Sequence, residues 1–459
     1  MAPKFGTSGV RGLVTELTEP FVRDYTRAFL SACETVGTLY VGRDLRPSSP
    51  QILQWIIEEA LSNGLKVFDC GALPTPALAF AAKGAAAIMI TGSHVPADRN
   101  GMKFYVPTGE ISKADEARIL NAHGSAAPTG PQGRLETFDA TSAFIQRYEG
   151  AYGDQALSGL RIGVYEHTSV ARDMLVDLLG RLGAKTVSIA RSDTFIPVDT
   201  EALDPKTQTL FAGWISEHNL DVLVSTDGDA DRPMLVDESA CVVPGDVLGV
   251  LTAQALRAKI ICTPVSSNTQ VDSLFSTVRH TRIGSPHVVA AMEDALGTDT
   301  DAKVIGYEAN GGFLLGFEAK GSTGTLAPLI TRDCLLPLIA PMAAANGQKQ
   351  PISALVAALP GRFTAADRLQ GIPTQASAQF LQDMSSNAEI RTAFFEMSSP
   401  EVRTDVTDGL RVTFENGDIL HLRPSGHAPE FRCYTESTSP SAAAKLLSLH
   451  LAKLKVVLS

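Results

Sequence analysis

Short β-rich runs alternate with helical patterns over most of this 459-residue chain, and this alternation restricts the possible folds more than any other feature. Residues 39–41, 66–68 and 86–90 are typical of strands, and residues 49–63 and 77–82 are typical of the helices between them. The same order returns from residue 161 and again from residue 260. Alternation of this kind favours α/β units whose largely parallel strands are buried on both faces.

The C-terminal part has a different pattern. Residues 410–414, 419–422 and 431–434 are typical of an antiparallel sheet, and residues 441–454 of a terminal helix. The length alone suggests about three domains, whereas the pattern indicates four, three of them similar. Clusters of Gly, Pro, Ser and Ala place the predicted boundaries, and the four domains are expected at residues 1–150, 151–254, 255–365 and 366–459.

Composition and charge exclude several classes of protein. The net charge of −11 argues against a nucleic-acid surface, which needs clustered Lys and Arg. The 6 cysteines lie far apart and form no CxxC pair, so neither a zinc site nor a disulfide scaffold is indicated. No signal peptide or membrane-spanning stretch is apparent. We therefore expect a globular, cytoplasmic protein without a membrane or nucleic-acid partner.

Alternating carboxylates follow the strand-like residues 222–224. Asp227, Asp229 and Asp231 stand at every second position, so a loop can turn their oxygens toward one point, which suits a hard cation such as Mg²⁺. Arg232 adds a positive fork that matches a phosphate. Together they suggest phosphoryl chemistry.

Two other interpretations of this loop are a solvated acidic turn and an EF-hand. Glu238 stands where an EF-hand places its bidentate glutamate. However, the sixth loop position is Arg232 instead of the usual glycine, Pro233 follows it, and the flanks are typical of strands. The EF-hand is therefore disfavoured.

A polar loop also follows the strand-like residues 86–90. Ser93, flanked by His94 and followed by Lys103, is a candidate nucleophile or phosphate carrier. Ordinary hydrogen bonding within a loop is the alternative for such a Ser-His pair. The GxSxG turn of an α/β-hydrolase is missing.

Two further loops carry polar residues suited to a phosphosugar. Arg423, Ser425 and Arg432 surround a Pro- and Gly-containing turn that is typical of an anion site, although a plain hairpin turn fits equally. Glu308 and Asn310 follow another strand-like run and suit sugar hydroxyls, with a simple turn as the equal alternative.

In this order along the whole chain, the loops resemble those of the α-D-phosphohexomutases, enzymes that interconvert the 6- and 1-phosphates of hexoses. Two N-terminal segments match the family's signatures as well. The matching segments are residues 4–12, 42–49, 91–96, 227–232, 307–312 and 423–432.

The resemblance implies an α/β fold with three similar α/β domains of mixed, mainly parallel sheets, plus a smaller C-terminal α+β domain, around a central cleft. It implies that Ser93 carries a phosphate and binds Mg²⁺ together with Asp227, Asp229 and Asp231. The implied catalytic residues are Ser93, His94, Lys103 and Arg11, with Lys103 as a proton acceptor.

The implied substrate contacts lie in several loops, including a specificity turn at residues 281–287. They are Arg232, Arg282, His287, Glu308, Asn310, Arg423, Ser425, Gly426, His427 and Arg432. Three loops depart from the family pattern: Val95 replaces an Asn, Asn310 and Gly312 replace a Ser and a His, and His427 and Ala428 replace a Thr and a Glu. With Gly312 in place of the family histidine, the loop lacks a possible acid/base group.

The expected reaction interconverts mannose 6-phosphate and mannose 1-phosphate through a 1,6-bisphosphate, with hexose 1,6-bisphosphate as activator. Glucose phosphates, or both sugars, are the alternative within the family. Glucosamine phosphates are disfavoured by the sequence of residues 307–312, the sugar loop. Outside the family, a sugar phosphatase or a silent sugar-phosphate binder remains. A small hexose phosphate is the expected partner, and the protein is expected to be a monomer or homodimer.

Overall fold

The computed structural model describes residues 3–6, 9–126, 131–425 and 429–458. Contacts divide the chain into two compact units. The first combines Met1–Cys262 with Gly284–Val356, and the second combines Thr263–Ile283 with Ala357–Ser459. Apolar residues from several elements form a separate core in each unit.

The first sheet of the first unit contains eight strands. They are β1 (Lys4–Phe5), β2 (Gly9–Leu13), β3 (Thr38–Arg43), β4 (Lys66–Ala72), β5 (Ala86–Ile90), β6 (Arg99–Val106), β7 (Gly109–Glu110) and β8 (Arg134–Thr137). Their order is β1-β2-β6-β5-β3-β4-β8, with β7 on β6. Strands β5, β3, β4 and β8 pair in parallel, whereas β6 runs antiparallel to β5.

Five helices accompany this sheet. They are α1 (Glu19–Ala32), α2 (Ser49–Ser62), α3 (Thr75–Ala81), α4 (Lys113–Asn121) and α5 (Ala140–Tyr152). In α2, Ile52, Ile56 and Ala60 recur at every fourth position and are buried, so one apolar face packs on the sheet. The helix ends just before Gly64, whose φ of 76° favours glycine.

The second sheet repeats this plan with five strands and three helices. The strands are β9 (Arg161–His167), β10 (Lys185–Arg191), β11 (Val222–Thr226), β12 (Pro233–Asp237) and β13 (Val242–Val243), and the helices are α6 (Arg172–Arg181), α7 (Pro205–His218) and α8 (Gly245–Ala255). Strand β9 pairs in parallel with β10 and β11, and β12 runs antiparallel to β11.

A third sheet follows in the same unit, and two short strands pair beside it. Its strands that begin in this unit are β14 (Ile260–Pro264), β16 (Val304–Tyr307), β17 (Phe313–Leu315) and β20 (Leu329–Asp333), and the short pair is β18 (Ala319–Lys320) and β19 (Thr325–Leu326). The helices are α10 (Ser285–Thr298), α11 (Leu336–Gly347) and α12 (Ile352–Ala357). Again a parallel strand, β16, is followed directly by an antiparallel one, β17.

The second unit is built on an antiparallel sheet. It contains α9 (Gln270–Leu274), β15 (Thr277–Thr281), β21 (Phe363–Gln370), α13 (Thr374–Ser386), α14 (Ala388–Phe395), β22 (Glu401–Asp405), β23 (Leu410–Phe414), β24 (Ile419–Pro424), β25 (Glu430–Ser437) and α15 (Pro440–Leu458). The sheet order is β21-β25-β24-β23-β22. Its core combines sheet residues such as Leu420 and Phe431 with helix residues such as Leu454.

The predicted α/β class with a smaller C-terminal α+β part is confirmed. The sheets are mixed, and the antiparallel share is larger than expected because the strand after each of three loops turns straight back. The residue boundaries of the four domains stay a prediction. Among the described helices, none is both long and apolar enough to cross a membrane.

Candidate active site

Three loops of the first unit carry the candidate site, and each follows the last residue of a buried parallel strand. Ser93 follows β5, Asp227 follows β11 and Glu308 follows β16. Each loop therefore lies at the carboxyl end of a parallel strand in its own sheet, the end at which α/β proteins bind ligands. Because β11 and β12 pair as antiparallel strands, the acidic loop is not an EF-hand, whose flanks are helices.

The acidic loop gathers three buried carboxylates. Oxygens of Asp227, Asp229 and Asp231 lie within 4.8 Å of one another. Lys103 Nζ lies 2.5 Å from Asp229 Oδ2 and 2.6 Å from Asp231 Oδ2. The Oδ1 atoms of Asp229 and Asp231 are buried and have no hydrogen-bond partner among the described residues. Two orphaned carboxylate oxygens beside a third carboxylate fit a hard divalent cation.

The pKa values of the three carboxyl groups shift in different directions because their neighbours differ. Burial and the charges of Asp229 and Asp231 raise the pKa of Asp227 well above its usual range. Burial also disfavours ionisation of Asp229, but the charge and hydrogen bond of Lys103, with Thr75 and Arg11, together outweigh burial and lower the pKa of Asp229. Thr75 supports Asp229 further, since Thr75 Oγ1 donates to Asp229 Oδ2 at 2.7 Å. Thr75 lacks a recognisable local motif and was not predicted as a site residue.

Ser93 lies directly beside the acidic loop. Its Oγ donates to Asp227 Oδ2 at 2.6 Å and lies 3.3 Å from His94 Nδ1. Burial, with Arg232 and Arg11 nearby, lowers the pKa of His94 to about 2, so the imidazole is neutral. Ser93 adopts a left-handed φ of 54°, which costs a non-glycine residue roughly 1–2 kcal/mol. The fold therefore holds this hydroxyl in a strained, well-defined position.

Arg46 holds the Ser93 loop in place. The guanidinium donates to the carbonyls of Ser93 (2.7 Å), Val95 (2.5 Å), Pro96 (2.6 Å) and Arg99 (2.9 Å). Its Nε donates to Asp44 Oδ2 at 3.1 Å. Val95 contributes its backbone here, so the missing Asn side chain does not disturb these bonds.

The space that Arg46 occupies depends on two neighbours. A Cβ at Gly92 would lie 2.6 Å from Arg46 Cζ, so a side chain there would displace the guanidinium. On its other side, Arg46 Cζ lies 4.2 Å from the centre of the Phe195 ring, a cation–π contact. The sequence identified residues 42–49 only as a family segment, and the role of Arg46 was not predicted.

Two further arginines lie around the carboxylates. Arg11 of β2 pairs across to Gly101 of β6, where a Cβ would lie 2.7 Å from its Cγ. Burial lowers the pKa of Arg11, and the charges of Asp229 and Asp231 oppose that shift. Arg232 Nη1 lies 3.4 Å from Glu201 Oε2. Together with Lys103, these groups surround the site with positive charge, which suits a phosphoryl group.

In the sugar loop, Glu308 has an unsatisfied side-chain oxygen, whereas the side chain of Asn310 bonds within the loop. Glu308 is 5% exposed, burial raises its pKa, and its Oε2 has no hydrogen-bond partner among the described residues. Asn310 Oδ1 accepts from Gly312 N at 2.9 Å, so this amide shapes the loop. Beside them lies Arg332, with Nη2 2.9 Å from Asp231 Oδ2. Arg332 was not predicted, because residues around it match no motif.

The second unit contains the predicted anion residues. Arg423 and Arg432 face each other across β24 and β25, and Arg432 also faces Arg368 across β25 and β21. Arg423 Nε lies 2.8 Å from Asp408 Oδ1. The sheet thus aligns three arginines on one face, of which the third, Arg368, was not predicted because it is distant in sequence.

The remaining predicted substrate residues fall in several places. Ser425 N donates to Glu430 O at 2.8 Å. Gly426 and His427 lie outside the described residues. Arg282 is exposed in the second unit, where its Nε donates to Thr407 O at 3.1 Å, while His287 lies in the first turn of α10 in the first unit. The expected central cleft stays a prediction.

These residues define the class of protein: one that handles phosphoryl groups at a site built on a repeated α/β fold. Profiles of the phosphoglucomutase/phosphomannomutase family match three parts of the chain: alpha/beta/alpha domain I matches residues 2–127, alpha/beta/alpha domain II residues 143–240, and the C-terminal domain residues 384–449.

Full-length relatives agree with the profiles. A phosphomannomutase of Sinorhizobium fredii is 43% identical over 99% of this chain and 99% of its own. One of Salmonella muenchen is 40% identical over 98% of this chain and 95% of its own. A crystal structure of a phosphoglucomutase/phosphomannomutase family protein from Burkholderia thailandensis shares the fold, with a TM-score of 0.79 at 20% identity, covering 98% and 96% of the two chains. The chain belongs to the phosphoglucomutase/phosphomannomutase family.

Proposed function

We propose that this protein is a Mg²⁺-dependent phosphohexomutase that interconverts mannose 6-phosphate and mannose 1-phosphate. The observation that carries the proposal is the position of Ser93, whose buried Oγ lies 2.6 Å from Asp227 within a group of three carboxylates. Two relatives at 43% and 40% identity are phosphomannomutases, which supports mannose as the sugar.

In the proposed cycle, Ser93 enters as a phosphoserine. A free hydroxyl of the hexose phosphate attacks the phosphorus and its proton passes to a base, while the bond from Ser93 Oγ to phosphorus breaks and Ser93 Oγ takes up a proton. The product is the hexose 1,6-bisphosphate. In the second half, Ser93 Oγ gives up its proton and attacks the other phosphate, the bond from that phosphorus to the sugar oxygen breaks, the sugar oxygen takes up a proton, and the isomeric monophosphate leaves.

Mg²⁺ would be held by Asp227, Asp229, Asp231 and an oxygen on Ser93, and it would neutralise charge on the transferring phosphoryl group. The residues fit this cation because Asp229 and Asp231 each offer a free oxygen while their other oxygen pairs with Lys103. Lys103 can therefore stay in place beside a bound cation.

The cations around Ser93 would act on the phosphoryl group by charge and hydrogen bonding. Arg11, Arg232 and Lys103 surround the carboxylates, and phosphoryl transfer needs such positioning more than covalent help. Lys103 stays our candidate proton acceptor; its Nζ donates to two carboxylates, and it can accept a proton only after it has given one up. His94, neutral and 3.3 Å from Ser93 Oγ, can donate or accept there.

The hexose would be recognised by Glu308 and Asn310, with Arg282 and His287 at the specificity turn. The phosphate that is not reacting would bind the arginine row of β24, β25 and β21, together with Ser425, Gly426 and His427. Hexose 1,6-bisphosphate would load Ser93 with its first phosphate. The cytoplasmic location and a monomeric or homodimeric state also stay predictions.

The test is the Ser93→Ala variant, with Ser448→Ala as the matched control because Ser448 is an exposed helix residue. Intact mass after incubation with hexose 1,6-bisphosphate should show one added phosphate in the parent and the control but none in Ser93→Ala. Turnover of mannose 1-phosphate should be lost in parallel. Near-parental turnover by Ser93→Ala would refute the proposal.

The same assay separates the alternatives. A sugar phosphatase would release inorganic phosphate in proportion to the substrate consumed, whereas a mutase would not. A phosphoglucomutase would prefer glucose 1-phosphate over mannose 1-phosphate. A silent binder would turn over neither, although Ser93 and all three aspartates are present.

A further inference from the structure

We infer that Arg332 is a positioning residue that fixes the sugar-binding carboxylate of Glu308 against the acidic loop, in space that only a glycine at position 312 leaves open. Arg332 lies in β20, outside every segment that resembles the family. The inference rests on the proposed function, because it assigns Glu308 to the hexose of that reaction.

Gly312 makes room for the Arg332 side chain. A Cβ at position 312 would lie 2.8 Å from both Cγ and Cδ of Arg332, closer than real Cβ atoms approach. Backbone φ does not require glycine there, since Gly312 is absent from the residues with positive φ. The steric demand of Arg332 therefore explains the glycine that stands in place of the family histidine.

Arg332 connects two of the three site loops. Its Nη2 lies 2.9 Å from Asp231 Oδ2, and its Nη1 lies 3.7 Å from Glu308 Oε2. The side chain is 7% exposed, as is that of Glu308. Burial opposes the charge of Arg332, but Asp231, Glu110 and Glu308 outweigh it and raise its pKa. The guanidinium is thus a permanent charge between the loops.

Buried polar atoms that lack a hydrogen bond indicate a ligand beside Arg332 and Glu308. Arg332 Nε and Glu308 Oε2 are both buried and lack a hydrogen-bond partner among the described residues. Such groups are costly when left unsatisfied. A sugar hydroxyl donates to a carboxylate oxygen, so a bound hexose can satisfy Glu308 Oε2, the group that Arg332 positions.

The fixed charge also limits where Glu308 can turn. At 3.7 Å the contact between Arg332 Nη1 and Glu308 Oε2 is too long for a hydrogen bond, so the guanidinium restrains this carboxylate by charge. Asp231 anchors the fork, because its Oδ2 also pairs with Lys103 Nζ at 2.6 Å. The charge therefore draws the Glu308 carboxylate toward the acidic loop, and a hexose bound to it would be aligned for phosphorylation.

The experiment is a double-mutant cycle in the Ser93→Ala protein, where mannose 1-phosphate binds without turnover and its affinity is measured by calorimetry. Arg332→Met should weaken binding about ten- to a hundredfold, the usual effect of losing a charged contact. In the presence of Glu308→Gln, the same change should weaken binding by less than about threefold, because the residue acts through Glu308. Equal losses in both backgrounds would overturn the inference.

A steric variant tests the same contact without deleting it. Gly312→Ala should displace Arg332 and reproduce the loss of binding, whereas Gly213→Ala, whose added Cβ meets nothing within 4 Å, should bind like the parent. If Arg332→Met does not fold, Arg332→Lys keeps the charge without the fork and should still weaken binding. Parental affinity in Gly312→Ala or Arg332→Lys would overturn the inference.

Mg²⁺ binding provides a readout that a merely structural role would not move. Removing a cation 2.9 Å from Asp231 should tighten Mg²⁺ binding to Arg332→Met, measured with the metal alone. Unchanged or weaker Mg²⁺ binding in a folded variant would contradict the arrangement. A parent that binds but does not isomerise mannose phosphates would instead refute the proposed function.

Discussion

Arg46→Lys should uncouple the Ser93 loop while leaving its charge in place. The arginine donates to four loop carbonyls and to Asp44, and an ammonium has only three donors on one atom. If two of the charge-assisted bonds are lost at about 1.5 kcal/mol each, the loop loses about 3 kcal/mol of restraint. That exceeds the roughly 1–2 kcal/mol cost of the left-handed φ at Ser93, so the serine should leave its strained position.

A loss of about 3 kcal/mol corresponds to a rate reduction of about a hundredfold. We expect this reduction in the rate at which hexose 1,6-bisphosphate phosphorylates Ser93, followed by quenching and intact mass below the unfolding temperature. Arg43→Lys is the matched control, because Arg43 is in the same segment but, among the residues that the structure describes, its side chain donates to Asp44 O alone, at 3.2 Å. If Arg46→Lys is phosphorylated within about threefold of the parent rate, the loop does not depend on these bonds.

Three other residues lead to further predictions. Asp229→Asn should bind Mg²⁺ at least about tenfold more weakly by calorimetry, because one carboxylate charge is lost; unchanged affinity would mean that the loop is structural. Arg432→Ala should weaken turnover of mannose 1-phosphate and mannose 6-phosphate by similar factors of about ten to a hundred, and a selective effect on one isomer would contradict a shared remote site. Burial lowers the pKa of His421 in the folded protein to about 4, whereas in the unfolded chain this histidine takes up a proton near pH 6.5. The stability that is present above pH 6.5 is therefore lost as the pH falls toward 4. This residue should cost about 2 kcal/mol of stability between pH 7.5 and pH 5, and His421→Gln should show a smaller pH dependence in urea unfolding; an unchanged dependence would contradict this.

The elements that could be predicted from the sequence are those with a strong local signal. The strand predicted at residues 86–90 coincides with β5, and the one at residues 410–414 coincides with β23. The acidic loop was predicted because three aspartates alternate after an apolar strand, and the structure brings their oxygens within 4.8 Å. In each case, neighbouring residues in the chain contain the information.

Thr75, Arg46, Arg332 and Arg368 could not be assigned from the sequence, for a common physical reason. Each meets residues that are distant in the chain, as Arg332 meets Asp231, and no local pattern encodes such a contact. Gly312 illustrates the limit. The sequence shows only that the family histidine is missing. The structure shows that the side chain of Arg332, from strand β20, fills the space beside this glycine.

The division of the chain into two units affects how chimeric enzymes should be designed. Residues 263–283 belong to the same unit as the C-terminal part, although the chain returns to the first unit between them. Ile283 N donates to Asp408 Oδ2 at 2.8 Å, and Thr269 N donates to Glu436 Oε2 at 3.2 Å. A graft that begins at residue 357 would remove these two backbone donors, leaving Asp408 with Arg423 and Glu436 with Arg362. An exchange of remote phosphate sites between relatives must therefore carry residues 263–283 as a second insert.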